Sequence, residues 1–290
     1  MPIDGRTSLA FLLGHPVAHS LSPAMHQAAF AAAGLNAAYL PWGVAPERLA
    51  AAVTGLRSLE TLLGANVTVP HKEAVASLLD GRTAEADAIG AVNTLWREGE
   101  RLLGDNTDGA GFLAALTEAW PDRDPGQPVV LLGAGGAARA VAVSLLRTGT
   151  RQLVLANRTP RRARELGAFL TARFPACHVR VEGLRPAWRL EGIPPACLLV
   201  NTSAVGLHPE EPPLFDYAGL EPSITVCDLI YNPPETPLLR AARGLGCATT
   251  NGLGMLLHQG ALAFERWTGL PAPREVMRTA LLAAREGHFA

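Results

Sequence analysis

Between Val129 and Leu146 two apolar runs are separated by Gly133-Ala134-Gly135-Gly136, and Arg139 is the only charged side chain in the whole stretch. Eighteen such residues could be mistaken for a membrane span. A glycine turn between apolar runs instead describes a buried strand, residues 129–132, passing directly into a buried helix, residues 137–147, that stops at Gly149. In that setting Gly133-x-Gly135-x-x-Ala138 is the dinucleotide fingerprint. The glycines permit a tight turn and a close approach of the backbone to a pyrophosphate, which the helix N-terminus then stabilises. Gly133, Ala134, Gly135, Gly136 and Ala137 are therefore expected to hold a dinucleotide, and the chain around them to form a parallel α/β sheet.

The next strand, residues 152–156, should end near the adenosine ribose, where enzymes using NAD place an acidic residue. Here the chain reads Asn157-Arg158-Thr159-Pro160-Arg161-Arg162. A carboxylate would repel a 2′-phosphate, whereas a guanidinium clasps one through charge-assisted hydrogen bonds. The residues predict NADP. Further strands are read at 179–181, 197–201 and 225–229, and the last runs into Asp228-Leu229-Ile230-Tyr231-Asn232-Pro233, which puts Tyr231 on the cofactor side.

Ahead of this unit the pattern also alternates β and α. An apolar run at 9–13 feeds a loop ending in Ser20-Leu21-Ser22-Pro23, where Ser22 reads as an N-cap and Pro23 as the first helical residue. Such a helix start, with two hydroxyls and free N–H groups, is a neutral way to hold a carboxylate. Strands follow at 38–42 and 62–69 with a helix at 46–56 between them, and a helix is read at 73–79. The segment Asn66-Val67-Thr68-Val69-Pro70-His71-Lys72 delivers an amide, a hydroxyl and an ammonium to one sheet end, where open α/β sheets bind ligands. A hairpin through Gly99 leads to Asn106-Thr107-Asp108. Asp108, taken singly, reads as the N-cap of a helix over 110–120; it could also do acid–base work beside Lys72.

The 290 residues, 48% hydrophobic, suit two domains better than one, and a net charge of −1 provides no field to recruit nucleic acid or an anionic membrane. A small molecule is the expected partner. The four cysteines lie far apart and the N-terminus lacks a basic-then-apolar leader, which predicts reduced thiols in a cytoplasm. His15, His19 and His26 have no acidic or thiol ligand at metal spacing, so no metal site is predicted.

Taken together, Ser20 to Pro23, Asn66 to Lys72, Gly90 to Thr94, Asn106 to Asp108, the glycine turn, Asn157 to Thr159, Asp228 to Pro233 and Asn251-Gly252 to Gln259-Gly260 resemble the shikimate dehydrogenase family over residues 9–269. The resemblance implies a discontinuous substrate domain, residues 1–107 and 252–290, in which C-terminal helices complete an N-terminal α/β unit. It also implies a Rossmann-type NADP domain at 108–251, with a cleft between the two. It implies that Ser20 and Ser22 hold a substrate carboxylate, that Asn66, Thr68, Asn93, Asp108 and Gln259 hold hydroxyls, and that Lys72 and Asp108 are the catalytic pair. Tyr231 is implied beside the substrate; Thr202, Ser203, Ala204, Leu229, Gly252 and Met255 join Asn157, Arg158, Thr159 and Arg162 around the cofactor. One departure is Gln27, where the family often has Asn. The implied reaction is the NADP-linked interconversion of shikimate and 3-dehydroshikimate by a monomer or homodimer. A quinate/shikimate dehydrogenase of broader specificity and a non-catalytic NADP-binding homologue are the alternatives.

Overall fold

The computed structural model describes residues 3–190, 192–208 and 210–287. The chain divides into two compact units: the described residues up to Phe112 together with those from Leu256 on, and Leu113–Met255.

The first unit is built on a six-stranded mixed sheet of β1 (Ser8–Gly14), β2 (Ala37–Gly43), β3 (Leu62–Val67), β4 (Gly81–Arg82), β5 (Thr94–Glu98) and β6 (Arg101–Asp105), in the order β2-β1-β3-β5-β6-β4. The strands β2, β1 and β3 are mutually parallel, and the β5–β6 hairpin joins β3 antiparallel. Helices α1 (Ser22–Ala32), α2 (Leu49–Arg57) and α3 (Ala84–Ile89) fill the crossovers, and α4 (Asp108–Ala119) follows β6. Leu13, Val53, Leu56, Val67, Val75 and Leu95 share one core beneath α2. The parallel start requires buried strands on both faces, and the apolar run of β1 supplies one.

The second unit carries an all-parallel six-stranded sheet. Its strands are β7 (Val129–Leu132), β8 (Gln152–Asn157), β9 (His178–Gly183), β10 (Leu198–Asn201), β11 (Thr225–Asp228) and β12 (Ala248–Asn251), ordered β12-β11-β10-β7-β8-β9. Helices α5 (Gly136–Thr148), α6 (Pro160–Arg173) and α7 (Pro237–Gly244) connect them. The order reverses at β7, and the crevice beyond the strand ends there is where such sheets bind ligands. Helix α8 (Leu253–Thr268) leads the chain back into the first unit, and α9 (Arg274–Gly287) follows.

Packing explains how α8 is fastened to the first sheet. Trp267 Nε1 donates to Leu95 O at 2.9 Å, and the indole lies where a Cβ on Gly64 would stand, so only glycine fits there. Gly260 is likewise pressed against Met25 of α1.

Several local expectations change. Strand β3 ends at Val67 rather than 69: Thr68 still donates its N–H to Leu13 O, and its carbonyl then accepts from His71 N to make a turn. The helix read at 73–79 is a short 3-10 segment, Ala74–Leu78. Leu21, not Ser22, is the N-cap of α1, and the Ser20 hydroxyl accepts from Ser22 N at 3.2 Å. Helices α3 and α7 and strands β4 and β12 are additions to the elements read from the sequence. Gln27 bonds strand β2 through Ala37 O and Tyr39 N, a structural role for the residue that departs from the family pattern.

Candidate active site

The end of β3, the start of β5 and the end of β6 lie side by side in the first unit, with Asn66 paired to Thr94 and Thr94 to Asp105 in register. That pairing delivers the polar residues that follow each strand to one place. Lys72 Nζ donates to Asp108 Oδ2 at 2.7 Å, with side chains only 14% and 4% exposed. Asp108 is not the cap of its own helix. Asn106 Oδ1 accepts from Asp108 N at 3.0 Å, which frees the Asp108 carboxylate for other partners.

Amides surround the ion pair. Asn93 Nδ2 lies 2.9 Å from Asp108 Oδ1, 3.0 Å from Thr107 Oγ1 and 3.2 Å from Gln259 Oε1, while its Oδ1 accepts from Thr107 N at 2.8 Å. Asn66 Nδ2 reaches Asn93 O at 3.2 Å, and Asn66 Oδ1 accepts from the Tyr39 hydroxyl at 2.9 Å. A buried pair of opposite charges is costly to desolvate, and donors and acceptors of this kind offset the cost. The structure thus brings Asn66, Lys72, Asn93, Asp108 and Gln259 into one network. Ser20, Ser22 and Thr68 belong to the same unit, at the start of α1 and just past β3, and do not bond to that network among the described residues. Thr94, Asn106 and Thr107, which lie in the motifs quoted above without a site role of their own, are further members, as is Tyr39. Asn106 and Thr107 were visible beside Asp108; Tyr39 carried no local signal.

The second unit contains the glycine turn. Gly133 has φ +114°, and a Cβ there would stand 2.5 Å from Thr202 Oγ1, so the position demands glycine. Gly135 is extended at φ −98°, and a Cβ on it would meet nothing within 4 Å, which leaves open space against the backbone. Helix α5 begins directly after it with no side-chain cap, so its first N–H groups are available to an anion. Ala138 is fully buried, as close helix–sheet packing needs. These features fit a dinucleotide pyrophosphate.

Around the turn, Thr202 Oγ1 donates to Leu132 O at 2.8 Å, and Ser203 donates to Asn201 Oδ1 from both N (3.0 Å) and Oγ (2.8 Å). Asn201 is tied to buried Asp228 at 3.0 Å, and Asp228 also accepts from Thr236 Oγ1 at 2.7 Å. Burial pushes the Asp228 carboxyl up to about 6 against the pull of the Thr236, Ile230 and Asn201 donors. Asn157 Nδ2 donates to Thr159 O at 2.9 Å, shaping the turn after β8. Arg158 is exposed there, with no ion-pair partner among the described residues. Gly252 packs so closely on the Leu229 backbone that no side chain fits, and Met255 is buried on α8. Ala204 is exposed, and Tyr231 is half-buried within the loop after β11.

A parallel sheet with a glycine turn at its topological switch, joined to a unit holding a buried lysine–carboxylate pair among amides, defines a dinucleotide-linked oxidoreductase class of α/β protein. Residues 12–95 match the shikimate dehydrogenase substrate binding domain, 121–180 the shikimate / quinate 5-dehydrogenase model, and 252–282 the shikimate 5′-dehydrogenase C-terminal domain. A shikimate dehydrogenase (NADP(+)) of Moorella thermoacetica is 51% identical over 97% of this chain and 95% of its own. Among solved structures, a shikimate dehydrogenase in complex with NADP+ superposes with a TM-score of 0.88 at 39% identity, covering 98% of this chain and 97% of the other. The Thermus thermophilus shikimate 5-dehydrogenase in complex with NADP(H) and shikimate gives 0.81 at 39% identity, covering 96% and 100%. The chain belongs to the shikimate dehydrogenase family. No helix among the described residues is long and apolar enough to cross a membrane.

Proposed function

We propose that the chain catalyses the reversible NADP-dependent reduction of 3-dehydroshikimate to shikimate, a step of the shikimate pathway to aromatic amino acids. The observation that carries this reading is the 2.7 Å Lys72–Asp108 pair, buried among the Asn66, Asn93 and Gln259 amides. A protein that only bound a dinucleotide would have no use for it.

Reducing a ketone builds negative charge on its oxygen, which calls for a fixed cation and a proton donor. The Lys72 ammonium serves as both. Asp108 holds that ammonium in place at 2.7 Å, and Asn93 holds Asp108 from its other oxygen. On this reading Asn66, Thr68, Asn93 and Gln259 grip the ring hydroxyls, Ser20 and Ser22 the carboxylate, and Tyr231 a face of the substrate. The glycine turn with Ala134 and Ala137 holds the pyrophosphate, and Thr202, Ser203, Ala204, Leu229, Gly252 and Met255 line the rest of the cofactor. Asn157, Arg158, Thr159 and Arg162 hold the adenosine end, with Arg158 on the 2′-phosphate. NADP, when bound, supplies or takes the hydride. The free buried thiols of Cys177, Cys197, Cys227 and Cys247 suit a reducing cytoplasm, where we place the protein as a monomer or homodimer.

Quinate differs from shikimate by a saturated ring carbon that bears an added hydroxyl beside the carboxylate. A close grip by Ser20 and Ser22 would bury that hydroxyl unpaired, at about 1–3 kcal/mol or roughly 5- to 150-fold in kcat/KM. Steady-state rates with shikimate and quinate, each with NADP and NAD, test the proposal. Shikimate with NADP should lead quinate by at least about tenfold. Comparable values would transfer the assignment to a broader quinate/shikimate dehydrogenase, and no turnover of either would refute it.

A further inference from the structure

Asp228, the last residue of β11, is fully buried, and no lysine or arginine pairs with it among the described residues. Both carboxylate oxygens face donors: Oδ1 accepts from Asn201 Nδ2 at 3.0 Å and from Ile230 N at 3.1 Å, and Oδ2 accepts from Thr236 Oγ1 at 2.7 Å. The Thr236 oxygen in turn accepts from Leu239 N at 3.3 Å, which leaves its proton to Asp228. Burial raises the Asp228 carboxyl to about 6 in spite of these donors, and above that the group is an anion. Its titratable neighbours do not answer the charge. The Cys227 thiol and the Tyr217 hydroxyl are pushed up, chiefly by burial, and stay neutral.

Holding such an anion costs stability, and hydrogen bonding alone does not account for it. An asparagine in its place would keep an oxygen toward Asn201 and Ile230, and its amide nitrogen would meet a Thr236 hydroxyl that is free to turn. The position in the sheet supplies a use for the charge. Leu132, Asn201 and Asp228 end β7, β10 and β11 in register, on three neighbouring strands. The glycine turn follows β7; on the other flank Asn157 ends β8 and Arg158 follows it, both read as the adenosine end of the site. A dinucleotide laid across the switch point therefore has its nicotinamide half on the side of β10 and β11. Leu229, next to Asp228 in the chain, is packed by Gly252, and both are read as lining the cofactor. The two redox forms of NADP differ at the nicotinamide ring, a cation when oxidised and neutral when reduced. A fixed anion distinguishes them.

We propose that Asp228 biases the site toward the oxidised cofactor: its buried carboxylate, unanswered by any cation among the described residues, is the counter-charge to the nicotinamide cation. The inference rests on the reading of the glycine turn as an NADP site. Asp228 acts through its field and need not touch the ring. Two strand spacings, about 10 Å, set the scale of separation, and at an effective dielectric of about 20 two unit charges so placed shift an equilibrium by roughly tenfold. In the reductive direction the ring gains its charge as the hydride leaves for the ketone carbon, so the same field favours that step.

The test is the affinity of the full-length protein for each redox form at about pH 8, NADPH by its fluorescence and NADP+ by displacement of NADPH. Asp228→Asn removes the charge and keeps the shape. It should raise the dissociation constant of NADP+ relative to that of NADPH by about five- to tenfold. A residue that served only to fasten the loops after β10 and β11 would weaken both forms alike and leave the ratio where it was. A ratio that rises by less than about threefold, or falls, would overturn the proposal, whatever happens to the melting temperature. If Asp228→Asn does not fold, Asp228→Ser, neutral and smaller, is measured in its place against the same ratio. Unmodified protein that binds neither form refutes the reading of an NADP site, and the inference with it; binding of both, with a ratio that the substitution does not change, refutes the inference alone.

Discussion

Acid should destabilise this protein through His26, and the size of the effect follows from its burial. The ring's ordinary pKa of 6.5 is lowered to about 3 in the folded chain by desolvation. Between those values the unfolded chain binds a proton that the native chain refuses. Stability therefore rises with pH across the window and is lost as pH falls from about 6.5 toward 3. Each unit of the window is worth about 1.4 kcal/mol, so at about pH 4.5 some two units have been entered, or about 3 kcal/mol; the whole window amounts to about 5 kcal/mol. His26→Phe removes the titrating group while keeping the ring. Denaturant unfolding of parent and variant at about pH 7 and about pH 4.5 should show the parent losing about 3 kcal/mol more than the variant on acidification. The comparison cancels every other titrating group common to both proteins. Identical losses for parent and variant would refute the argument, since they would mean that the ring takes up its proton without unfolding.

Asp228 carries the opposite sign. Its folded pKa is raised from 3.8 to about 6, so its contribution is present at low pH and lost as pH rises through about 6. Relative to Asp228→Asn the parent should lose about 3 kcal/mol between about pH 4 and pH 7, and parallel stability profiles would count against this. Arg158→Ala should weaken NADP by about 1.5–3 kcal/mol and leave NAD almost unchanged in titrations; equal weakening of both would show that Arg158 does not read the 2′-phosphate. Gly64→Ala would force a methyl into the Trp267 indole and to within 2.7 Å of Leu95 O. It should lower stability by about 1–3 kcal/mol or more, and an unchanged denaturation midpoint would contradict the packing described.

The second unit is the more legible of the two. Its β7–turn–α5 segment is local: four buried apolar residues, a glycine that must adopt φ +114°, and a helix running to Gly149 follow one another in the chain. Helix α3 carries equally local signals that the sequence reading passes over. Thr83 accepts from Ala86 N, Glu85 and Asp87 sit in the first turn, and Gly90 closes the helix at φ +73°. Helix α7 starts at Thr236-Pro237 in a proline-rich stretch that reads as loop until the Thr236 cap on Leu239 N is seen. The site itself is legible only as separate motifs. That Asn66 and Asn93 meet follows from the antiparallel pairing of β3 with β5, a long-range choice no local pattern reports. Asp108 shows the limit most clearly. An Asp before a helix reads as a cap, and only the structure reveals that Asp108 is itself the first helical residue, its N–H taken by Asn106 Oδ1 and its carboxylate by Lys72. The His26 stack on Tyr39 depends on α1, β2 and α8 together and has no sequence signature.

The central claim is that Lys72, held by Asp108, supplies the charge and the proton for reduction of a ring ketone. The most direct measurement is the turnover of Lys72→Ala with shikimate and NADP, set beside its NADP dissociation constant from fluorescence titration. The account predicts kcat lowered by about 10²- to 10⁴-fold, the scale of a lost acid–base group, with NADP affinity within about twofold of the parent. A variant that keeps kcat within about threefold of the parent would contradict it, because the buried pair would then be a structural ion pair and not the working part of the site.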